Sequence, residues 1–505
     1  MPQIEEATEW SADQQRALAF VVSGRSVCIT GSAGVGKSRL VAEITARLQA
    51  QNRIVAVCGT TGMAAVGVNG RTIHKWAGVG LARESAEDLV RIVNKRRDAA
   101  RAWRRTDTLL IDEVSMLMPT LFEKLEYIAR KIRRDDSPFG GLQLVLVGDF
   151  AQLPPVDPSR KPGEPIYCFQ TSAWERCIGV NVIELRKIFR QTDQLWINVL
   201  NKIREGTVDE EVRAALQSRH NVPLQLHQGI EPTQLRLRNA DVDAINYEAL
   251  AKLPDSERTY EAVFSVTDSV PYPDKIKQML LDSVRVPEKL TLKVGAQVVL
   301  KANLAIDKGL ANGSRGVVVG FVGPDQLPKV RFISGVKRII NLNVWTWENP
   351  AEGYLATFKQ IPLRLAWALT VHSSQGMTLD AATIDIGINV FEAGQAYTAL
   401  SRVRSLEGLS ITSLNFDSIV CAHPVQKFFK KIRAAQSSPP PIKRTLDHPP
   451  DAPAKRTKHE LPLQIRVLWS TEGTAQLYDA ESLQAKELLS LGIRGGVYRL
   501  VSDDF

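Results

Sequence analysis

The stretch Gly31-Ser-Ala-Gly-Val-Gly36-Lys37-Ser38 matches the pattern G-x-x-x-x-G-K-[ST] at every position. An apolar run, Val27–Thr30, precedes it, and residues 39–50 place apolar side chains at helical spacing after it. In this context backbone N–H groups and the helix N-terminus both favour a phosphate anion. The stretch therefore predicts a nucleotide site, with Lys37 at the β- and γ-phosphates and the Ser38 hydroxyl as a Mg²⁺ ligand. The candidate nucleotide-binding residues here are Gly31, Gly34, Val35, Gly36, Lys37 and Ser38.

Two acidic residues, Asp112 and Glu113, follow the apolar run Thr108–Ile111. Because the carboxyl ends of parallel strands meet at one edge of a sheet, we expect these side chains beside the phosphate loop. Asp112 is predicted to hold Mg²⁺ together with Ser38, and Glu113 to orient or activate the attacking water. The pair therefore predicts that ATP is hydrolysed rather than only stored.

Short apolar runs alternate with helical stretches along most of the chain, which predicts an α/β fold with two parallel sheets covered by helices. The predicted strands are Val27–Thr30, Ile54–Cys58, Thr108–Ile111 and Leu142–Val147, followed later by Val182–Leu185, Leu235–Leu237, Ala382–Ile386 and Leu409–Thr412. Between residues 292 and 355 short strands and turn signals indicate a small antiparallel β-barrel inserted into the second domain. We therefore expect a first domain over residues 1–180, a second over 181–291 and 356–436, and the insertion over 292–355.

The composition restricts the class of protein. The chain has 505 residues, 44% hydrophobic and 24% charged, which suits two or three globular domains and argues against wholesale disorder. No run approaches about 18 uninterrupted apolar residues, so no membrane span is expected. The N-terminal residues resemble neither a secretory signal nor a transit peptide. The five cysteines are scattered without C-x-x-C spacing, which disfavours a disulfide framework and indicates a reducing compartment.

The positive charge is clustered. The net charge is +9, and residues 91–105 hold seven cations against one acid, followed by four more cations in residues 130–134. Such clusters supply the phosphate attraction on which nucleic-acid binding depends. A solvated helix face is the alternative that charge alone leaves open.

A resemblance becomes specific at Gly148-Asp-Phe-Ala-Gln152-Leu-Pro-Pro155, which resembles motif III of superfamily 1 helicases in its PIF-type (petite integration frequency) form. The segment from Ser115 to Arg133 resembles that family's signature between motifs II and III. The resemblance continues over roughly residues 10–415. It implies two RecA-like P-loop domains, with a strand-separating wedge inserted in the first at about residues 78–105. For that segment a surface helix is the alternative.

The remaining motifs follow in family order, and their roles are those that the resemblance implies. Gln14 matches the adenine-reading glutamine, and Gln152 is expected to contact the γ-phosphate and couple it to DNA. Arg190 and Arg402 match the arginines that reach the γ-phosphate from the second domain. Contacts to single-stranded DNA are implied for Thr60, Thr61, Thr72, His74, His372, Ser374, Gln375 and Thr378.

Two details remain open within the resemblance. Ser373 stands where the family's motif V usually has a lysine, which puts one phosphate contact in doubt. Trp76 and Phe150 lie near the expected DNA track, where aromatic rings stack on bases, but core packing is the more common role of such residues.

The resemblance implies an ATP-dependent helicase that uses Mg²⁺ and moves 5′ to 3′ on single-stranded DNA as a monomer. It would open duplex or quadruplex junctions in replication, repair, recombination or telomere maintenance. A translocase that strips proteins or quadruplexes without opening duplex is the alternative. RecD-like helicases are the nearest relatives to exclude. A catalytically inactive scaffold is disfavoured, because the catalytic residues of each motif are present.

The C-terminal residues have a different composition. Residues 437–460 are rich in Ser and Pro and then basic, which predicts a disordered linker. Its clusters Lys443-Arg444 and Lys455-Arg456-Thr-Lys458 have the spacing of a bipartite nuclear-import signal, although a solvated linker, and so a cytoplasmic or viral setting, explains them equally well. Residues 461–505 are predicted to form a small unit with a strand at Gln464–Leu468, a helix at Ala480–Leu489 and a strand at Val497–Val501, which binds an unknown protein partner.

Overall fold

A computed structural model describes residues 10–155, 157, 163, 166–189, 193–224, 229–267, 273–284, 286–305, 310, 312–349, 354–437, 466–471, 474–479 and 499–501. The chain divides into two compact units, Met1–Pro439 and Pro440–Phe505. Among the described residues, no helix combines the length and the apolar character that a membrane crossing requires.

The first lobe is built on a parallel sheet of six strands in the order β3-β2-β4-β5-β1-β6. Its strands are β1 Val27–Gly31, β2 Val55–Gly59, β3 Arg71–Thr72, β4 Thr108–Asp112, β5 Gln143–Gly148 and β6 Val182–Leu185. The helices around it are α1 Ala12–Val22, α2 Lys37–Ala50, α3 Gly62–Gly67, α4 Ile73–Ala77, α5 Ala86–Lys95, α6 Arg97–Arg105, α7 Pro119–Arg133 and α8 Ser172–Cys177. Strands β1, β4 and β5 are buried along their whole length, as near-continuous apolar runs require when helices cover both faces.

The boundary predicted at residue 180 is wrong for the sheet. Strand β6 pairs in parallel with β1, with Val182 opposite Cys28, and so completes the first sheet rather than opening the second. Parallel pairing joins segments about 150 residues apart, and nothing within residues 182–185 specifies which sheet they join.

Residues 78–105, the predicted wedge, form helices α5 and α6, and both pack against α7. Leu89, Val93 and Trp103 are fully buried in the core of the lobe. The Trp103 indole N–H donates to the Ala77 carbonyl at 3.0 Å, and its ring centroid lies 4.5 Å from that of Trp76. This segment is therefore part of the core on one face, and its strand-separating role stays a prediction.

The second lobe and its insertion contain the remaining elements of the first unit. Their strands are β7 Thr233–Arg236, β8 Arg258–Glu261, β9 Val263–Val266, β10 Lys289–Leu292, β11 Gln297–Leu300, β12 Arg315–Val322, β13 Leu327–Phe332, β14 Lys337–Ile339, β15 Asn343–Asn349, β16 Tyr354–Gln360, β17 Leu363–Leu365, β18 Ala368–Thr370, β19 Ala382–Ile386 and β20 Leu409–Leu414. The helices are α9 Gln194–Glu205, α10 Glu210–Gln217, α11 Asn239–Ala251, α12 Pro273–Val284, α13 Gln395–Leu400 and α14 His423–Ser437. The lobe is centred on a parallel sheet in the order β18-β7-β19-β20.

The insertion is antiparallel, as predicted, but longer than residues 292–355. One sheet has the order β14-β13-β12-β11-β17, and a second has the order β15-β16-β9. Strand β9 pairs with β16, and β8 pairs with β10, so the insertion includes residues 258–292 and extends to Leu365. Helix α12 covers the second sheet, where Ile276, Leu280 and Val284 form a small core with Phe358.

Helix α14 follows the second sheet in sequence but packs against the first lobe. The Phe428 ring stacks on Phe169 with centroids 4.2 Å apart, and it lies 5.3 Å from Phe150. The Arg433 guanidinium contacts Glu184 of β6 at 3.2 Å. Strand β20 and helix α14 therefore connect the two lobes through Asn415–Ala422.

The described part of the C-terminal unit is an antiparallel sheet in the order β22-β21-β23. Its strands are β21 Arg466–Thr471, β22 Thr474–Asp479 and β23 Arg499–Val501. Two strands overlap the predicted ones, whereas β22 was not predicted. The predicted helix at residues 480–489 lies outside the described residues, as do residues 438–460 of the linker with both basic clusters.

Candidate active site and nucleic-acid interface

The phosphate loop joins β1 to α2. Gly34 and Gly36 have left-handed φ angles of 89° and 79°, which explains the need for glycine at both positions. The Lys37 ammonium donates to the carbonyls of Gly31 and Ser32 at 2.8 and 3.0 Å. Burial lowers the pKa of Lys37, and three nearby carboxylates (Asp149, Glu113 and Asp112) oppose that shift. The ammonium is therefore folded over the loop, close to the acidic groups of the predicted site.

The other predicted nucleotide residues surround this loop. Ser38 is exposed at the start of α2, and Val35 is buried in the core of the lobe. Gln14 is buried, and its amide nitrogen donates to the Val35 carbonyl at 3.2 Å while its amide oxygen accepts from Ser11 N–H at 3.0 Å. Gln14 therefore fixes the start of α1 to the phosphate loop, and its role in reading adenine stays a prediction.

Asp112 and Glu113 lie at the end of β4, as predicted. The Asp112 carboxylate accepts from the Glu113 N–H at 2.9 Å. Burial raises the pKa of Asp112 to about 7, and the neighbouring Glu113 charge adds to the rise, while that N–H bond and Lys37 oppose it. A cation bound at this carboxylate would compensate its burial.

Glu113 connects the acidic pair to residues of the predicted DNA track. Its backbone is left-handed, with φ 54°, which is uncommon outside glycine. Its carbonyl accepts from the Thr60 hydroxyl at 2.9 Å, and its carboxylate accepts from the Gln375 amide at 3.1 Å. Gln375 belongs to the second lobe. The Glu113 carboxylate, which is predicted to orient water, therefore makes a hydrogen bond across the cleft.

A second contact across the cleft joins Gln152 to Arg402. The Arg402 guanidinium donates to the Gln152 side-chain oxygen at 3.3 Å and to the Thr398 carbonyl at 2.9 Å. Burial lowers the pKa of Arg402, although Glu113 is among the groups that oppose the shift. The structure thus brings Lys37, Asp112, Glu113, Gln152 and Arg402 to one cleft. The other predicted arginine, Arg190, lies outside the described residues.

Sequence reasoning missed a buried network beside this cleft. The Tyr397 hydroxyl donates to the Asp149 carboxylate at 3.1 Å and accepts from the Ala33 N–H of the phosphate loop at 3.2 Å. The Arg204 guanidinium donates to both Asp149 oxygens at 3.1 and 3.2 Å and to Glu184 at 2.9 Å. Asp149 and Tyr397 lie within the recognised motifs, so the sequence could have indicated their importance. Nothing in the sequence indicates a role for Arg204.

A groove of about 1140 Å³ runs between the first lobe, the second lobe and the insertion. Thr60 and His74 line one side, and His372 and Ser373 line it from the second lobe. Burial lowers the pKa of the half-buried His74, which favours the neutral ring. The groove therefore brings together three of the predicted DNA contacts, Thr60, His74 and His372.

The other predicted DNA contacts do not line this groove. The Thr61 hydroxyl accepts from the Ala64 N–H, and the Thr72 hydroxyl caps α4 by accepting from the Lys75 N–H. The Ser374 hydroxyl donates to the Val371 carbonyl. Gln375 contacts Glu113, and Thr378 lies three residues further along the chain. The hydroxyls of Thr61, Thr72 and Ser374 stabilise local turns in this structure, and contact to DNA stays a prediction for all five residues.

The two open details of the sequence have structural answers. Ser373 is buried, and its hydroxyl accepts from the Thr370 hydroxyl at 2.8 Å, so it stabilises the turn where the family pattern has a cation. Trp76 and Phe150 are buried among other aromatic rings, which confirms core packing and excludes base stacking in this conformation.

Two cations of the basic cluster at residues 130–134 stabilise the fold. The Arg133 guanidinium donates to the carbonyls of Gly140, Trp103 and Thr106, and Arg130 pairs with the buried Glu126 at 2.9 Å. In the other basic cluster, residues 91–105, cations such as Arg91 are exposed to solvent. Among the described residues, no cluster of three or more His, Cys, Asp or Glu side chains suits a metal ion.

Known proteins match this arrangement over most of the chain. A sequence model of the PIF1-like helicase matches residues 10–214, and one of the DNA helicase Pif1 2B domain matches residues 277–321. The Pif1 helicase from Candida albicans superposes with a TM-score of 0.73 at 36% identity, covering 84% of this chain and 99% of that one. The chain belongs to the PIF1-like helicase family. The fold is accordingly that of these helicases, with the 2B region in the insertion.

Two further relatives of the family are similar. The ATP-dependent DNA helicase PIF1 of Danio rerio is 41% identical over 428 residues, which are 85% of this chain and 64% of that protein. A Bacteroides Pif1 structure bound to ssDNA superposes with a TM-score of 0.61 at 27% identity, covering 85% of this chain and 98% of that one. The chain spans 63–64% of the length of the first vertebrate relatives that it matches.

Proposed function

We propose that the protein is an ATP-dependent DNA helicase, which couples ATP hydrolysis to 5′-to-3′ movement on single-stranded DNA and to unwinding of duplex or structured DNA. The observation that carries the proposal is the pair of contacts across the cleft, Gln152 to Arg402 and Glu113 to Gln375. They join residues with proposed hydrolytic roles in the first lobe to Arg402 of the second lobe and to Gln375, which follows the groove-lining turn at His372.

ATP and Mg²⁺ fit the residues of the cleft. Mg²⁺ in nucleotide sites is commonly held by one or two carboxylates together with phosphates, and it neutralises phosphate charge there. The exposed Ser38 hydroxyl and the Asp112 carboxylate are suitable metal ligands. A bound cation would offset the free-energy cost of burying the ionised Asp112 carboxylate. Lys37 would release its two carbonyl contacts to meet phosphate oxygens. Glu113 would orient the attacking water, and Arg402 would stabilise charge on the transferred group.

The same contacts offer a path from hydrolysis to movement. Glu113 bonds through its carbonyl to Thr60, which lines the groove, and through its carboxylate to Gln375, which follows the groove-lining turn at His372. A change of charge at the phosphates alters the balance of these bonds. The two walls of the groove would then shift relative to each other with each ATP, so that a bound strand advances.

We further propose a monomer that acts at duplex or quadruplex junctions in DNA replication, repair, recombination or telomere maintenance, in the nucleus. The ssDNA-bound Bacteroides relative supports single-stranded DNA as the track. The vertebrate relatives support the cellular setting. The nuclear assignment also rests on the basic clusters of the linker, so Lys455, Arg456 and Lys458 changed together to Ala should lose nuclear signal in imaging.

The test compares unwinding of 5′-tailed and 3′-tailed duplexes with ssDNA-stimulated ATPase in the same reactions. We expect unwinding from the 5′ tail alone, and Lys37→Ala should abolish both activities. Lys427→Ala is the matched control, because this lysine is exposed on α14. Unchanged ATPase in Lys37→Ala would refute the proposal. Strong ATPase without opening of either duplex would replace it with the protein-stripping translocase.

A further inference from the structure

The groove has two chemically different walls. On the first lobe, His74 presents an imidazole ring that can donate to a phosphate oxygen without distinguishing bases, beside the Thr60 hydroxyl, which donates to the Glu113 carbonyl. On the second lobe, helix α11 contributes Asn239, Asp243 and Tyr247, which are spaced by four residues and therefore share one face of the helix. This second wall combines an amide, a carboxylate and an aromatic ring.

Helix α11 is held firmly beside the groove. The Asn246 side chain donates to the Ala368 carbonyl at 3.1 Å and accepts from the Ala368 N–H at 3.0 Å. Ala368 begins strand β18, which leads directly into the turn at His372. Val242 and Leu250 are buried on the same stripe of the helix as Asn246, next to the face that lines the groove. The two hydrogen bonds of Asn246, the residue before Tyr247, therefore fix the position of Tyr247 relative to the groove.

The Tyr247 side chain is nevertheless unused in the fold. The residue is 67% exposed. Among the described residues, its hydroxyl makes no hydrogen bond and its ring contacts no other aromatic ring. An exposed aromatic ring on a fixed helix inside a groove offers a flat apolar surface at little cost in conformational entropy.

The charges favour bases rather than phosphates on this wall. Asp243, one turn before Tyr247, carries a carboxylate that is half exposed and lies 3.5 Å from the Arg364 guanidinium. A carboxylate repels phosphate, and its pairing removes Arg364 as a strong phosphate ligand. A strand in the groove would thus direct its phosphates to the His74 side of the groove and its bases to α11.

We propose that Tyr247 is a base-stacking residue for single-stranded nucleic acid in this groove. The inference rests on the proposed function, and it adds a contact that none of the recognised motifs contains. Every base has a π-face, so such a contact strengthens binding without sequence preference.

The test measures the affinity of the full chain for two fluorescent oligonucleotides of equal length by anisotropy, an oligothymidine and its abasic counterpart. Stacking on one base predicts that Tyr247→Ala weakens oligothymidine binding about tenfold and leaves abasic binding unchanged. Tyr247→Phe should retain the parental affinity, because the ring and not the hydroxyl stacks. Glu248→Ala, at the exposed neighbour on the same helix, is the control for a general effect on α11.

The possible results separate the two proposals. An equal loss on both oligonucleotides, or no loss in Tyr247→Ala, would overturn the stacking role while the helicase proposal stands. Failure of the parent protein to bind either oligonucleotide would overturn both.

Discussion

Replacing Tyr397 by Phe tests the buried network between the lobes. The substitution removes only the hydroxyl, which donates to the Asp149 carboxylate and accepts from the Ala33 N–H. The ring of Tyr397 is buried and retains its packing. The hydroxyl thus joins helix α13, which precedes Arg402, to the phosphate loop.

The magnitude follows from the two lost bonds. A hydrogen bond to a charged group contributes about 1.5–3 kcal/mol, and a buried donor left without an acceptor costs about 1–3 kcal/mol. Asp149 keeps its Arg204 partner, so the lower part of this range applies, and we expect the free energy of unfolding to fall by about 3 kcal/mol. At roughly 2 °C per kcal/mol for a large domain, the melting temperature should fall by about 6 °C.

The catalytic effect should appear in kcat. Helix α13 positions Arg402, which we propose stabilises charge in the transition state, so loosening the helix should lower the kcat of ATP hydrolysis about tenfold with little change in KM for ATP. Scanning calorimetry and steady-state ATPase measure the two effects, with Tyr127→Phe on α7 as the control. A variant with the melting temperature and kcat of the parent would show that the hydroxyl links nothing across the cleft.

Three further substitutions test separate features. Arg204→Met leaves the buried Asp149 without its guanidinium and should cost about 3–5 kcal/mol in urea unfolding; a loss below about 1 kcal/mol would contradict the importance of this pair. Trp103→Ala removes a fully buried ring, and a cost of about 3–5 kcal/mol is expected, whereas an exposed wedge residue would cost almost nothing. His74 has a pKa lowered by burial, so the folded protein without DNA binds this proton less readily than the unfolded chain and loses stability as pH falls below about 6.5. A nearby phosphate favours the protonated ring, so oligonucleotide affinity should rise from pH 7.5 to 6, and His74→Gln should show a flatter pH profile than the parent.

Local signals predicted much of the first lobe. Strands β1, β4 and β5 are continuous apolar runs that end at a glycine or an acid, so both their type and their edge of the sheet followed from the sequence. Lys37, Asp112, Glu113, Gln152 and Arg402 could be predicted because each belongs to a motif of fixed spacing. Of these residues, Gln152 contacts Arg402 across the cleft, and Glu113 contacts Gln375.

What the sequence did not predict depends on distant partners. The pairing of β6 with β1, and of β9 with β16, is specified by the tertiary arrangement and not by the strands themselves. Arg204 occupies a helix whose pattern gives an arginine no reason to be buried, and its two acidic partners are distant in sequence, one directly after β5 and the other in β6. The hydroxyls of Thr61 and Thr72 were assigned to DNA, but as caps they satisfy the nearest backbone N–H groups.

Helix α14 has a consequence for the order in which the protein is made. Phe150 and Phe169 of the first lobe complete their aromatic packing with Phe428, which is synthesised more than 250 residues after Phe169. At about 5–20 residues per second, the nascent chain would spend on the order of ten seconds or more with this apolar surface uncovered on the ribosome. The lobe that emerges first is therefore completed last, and a chain that stops before His423 should expose the same surface permanently and aggregate.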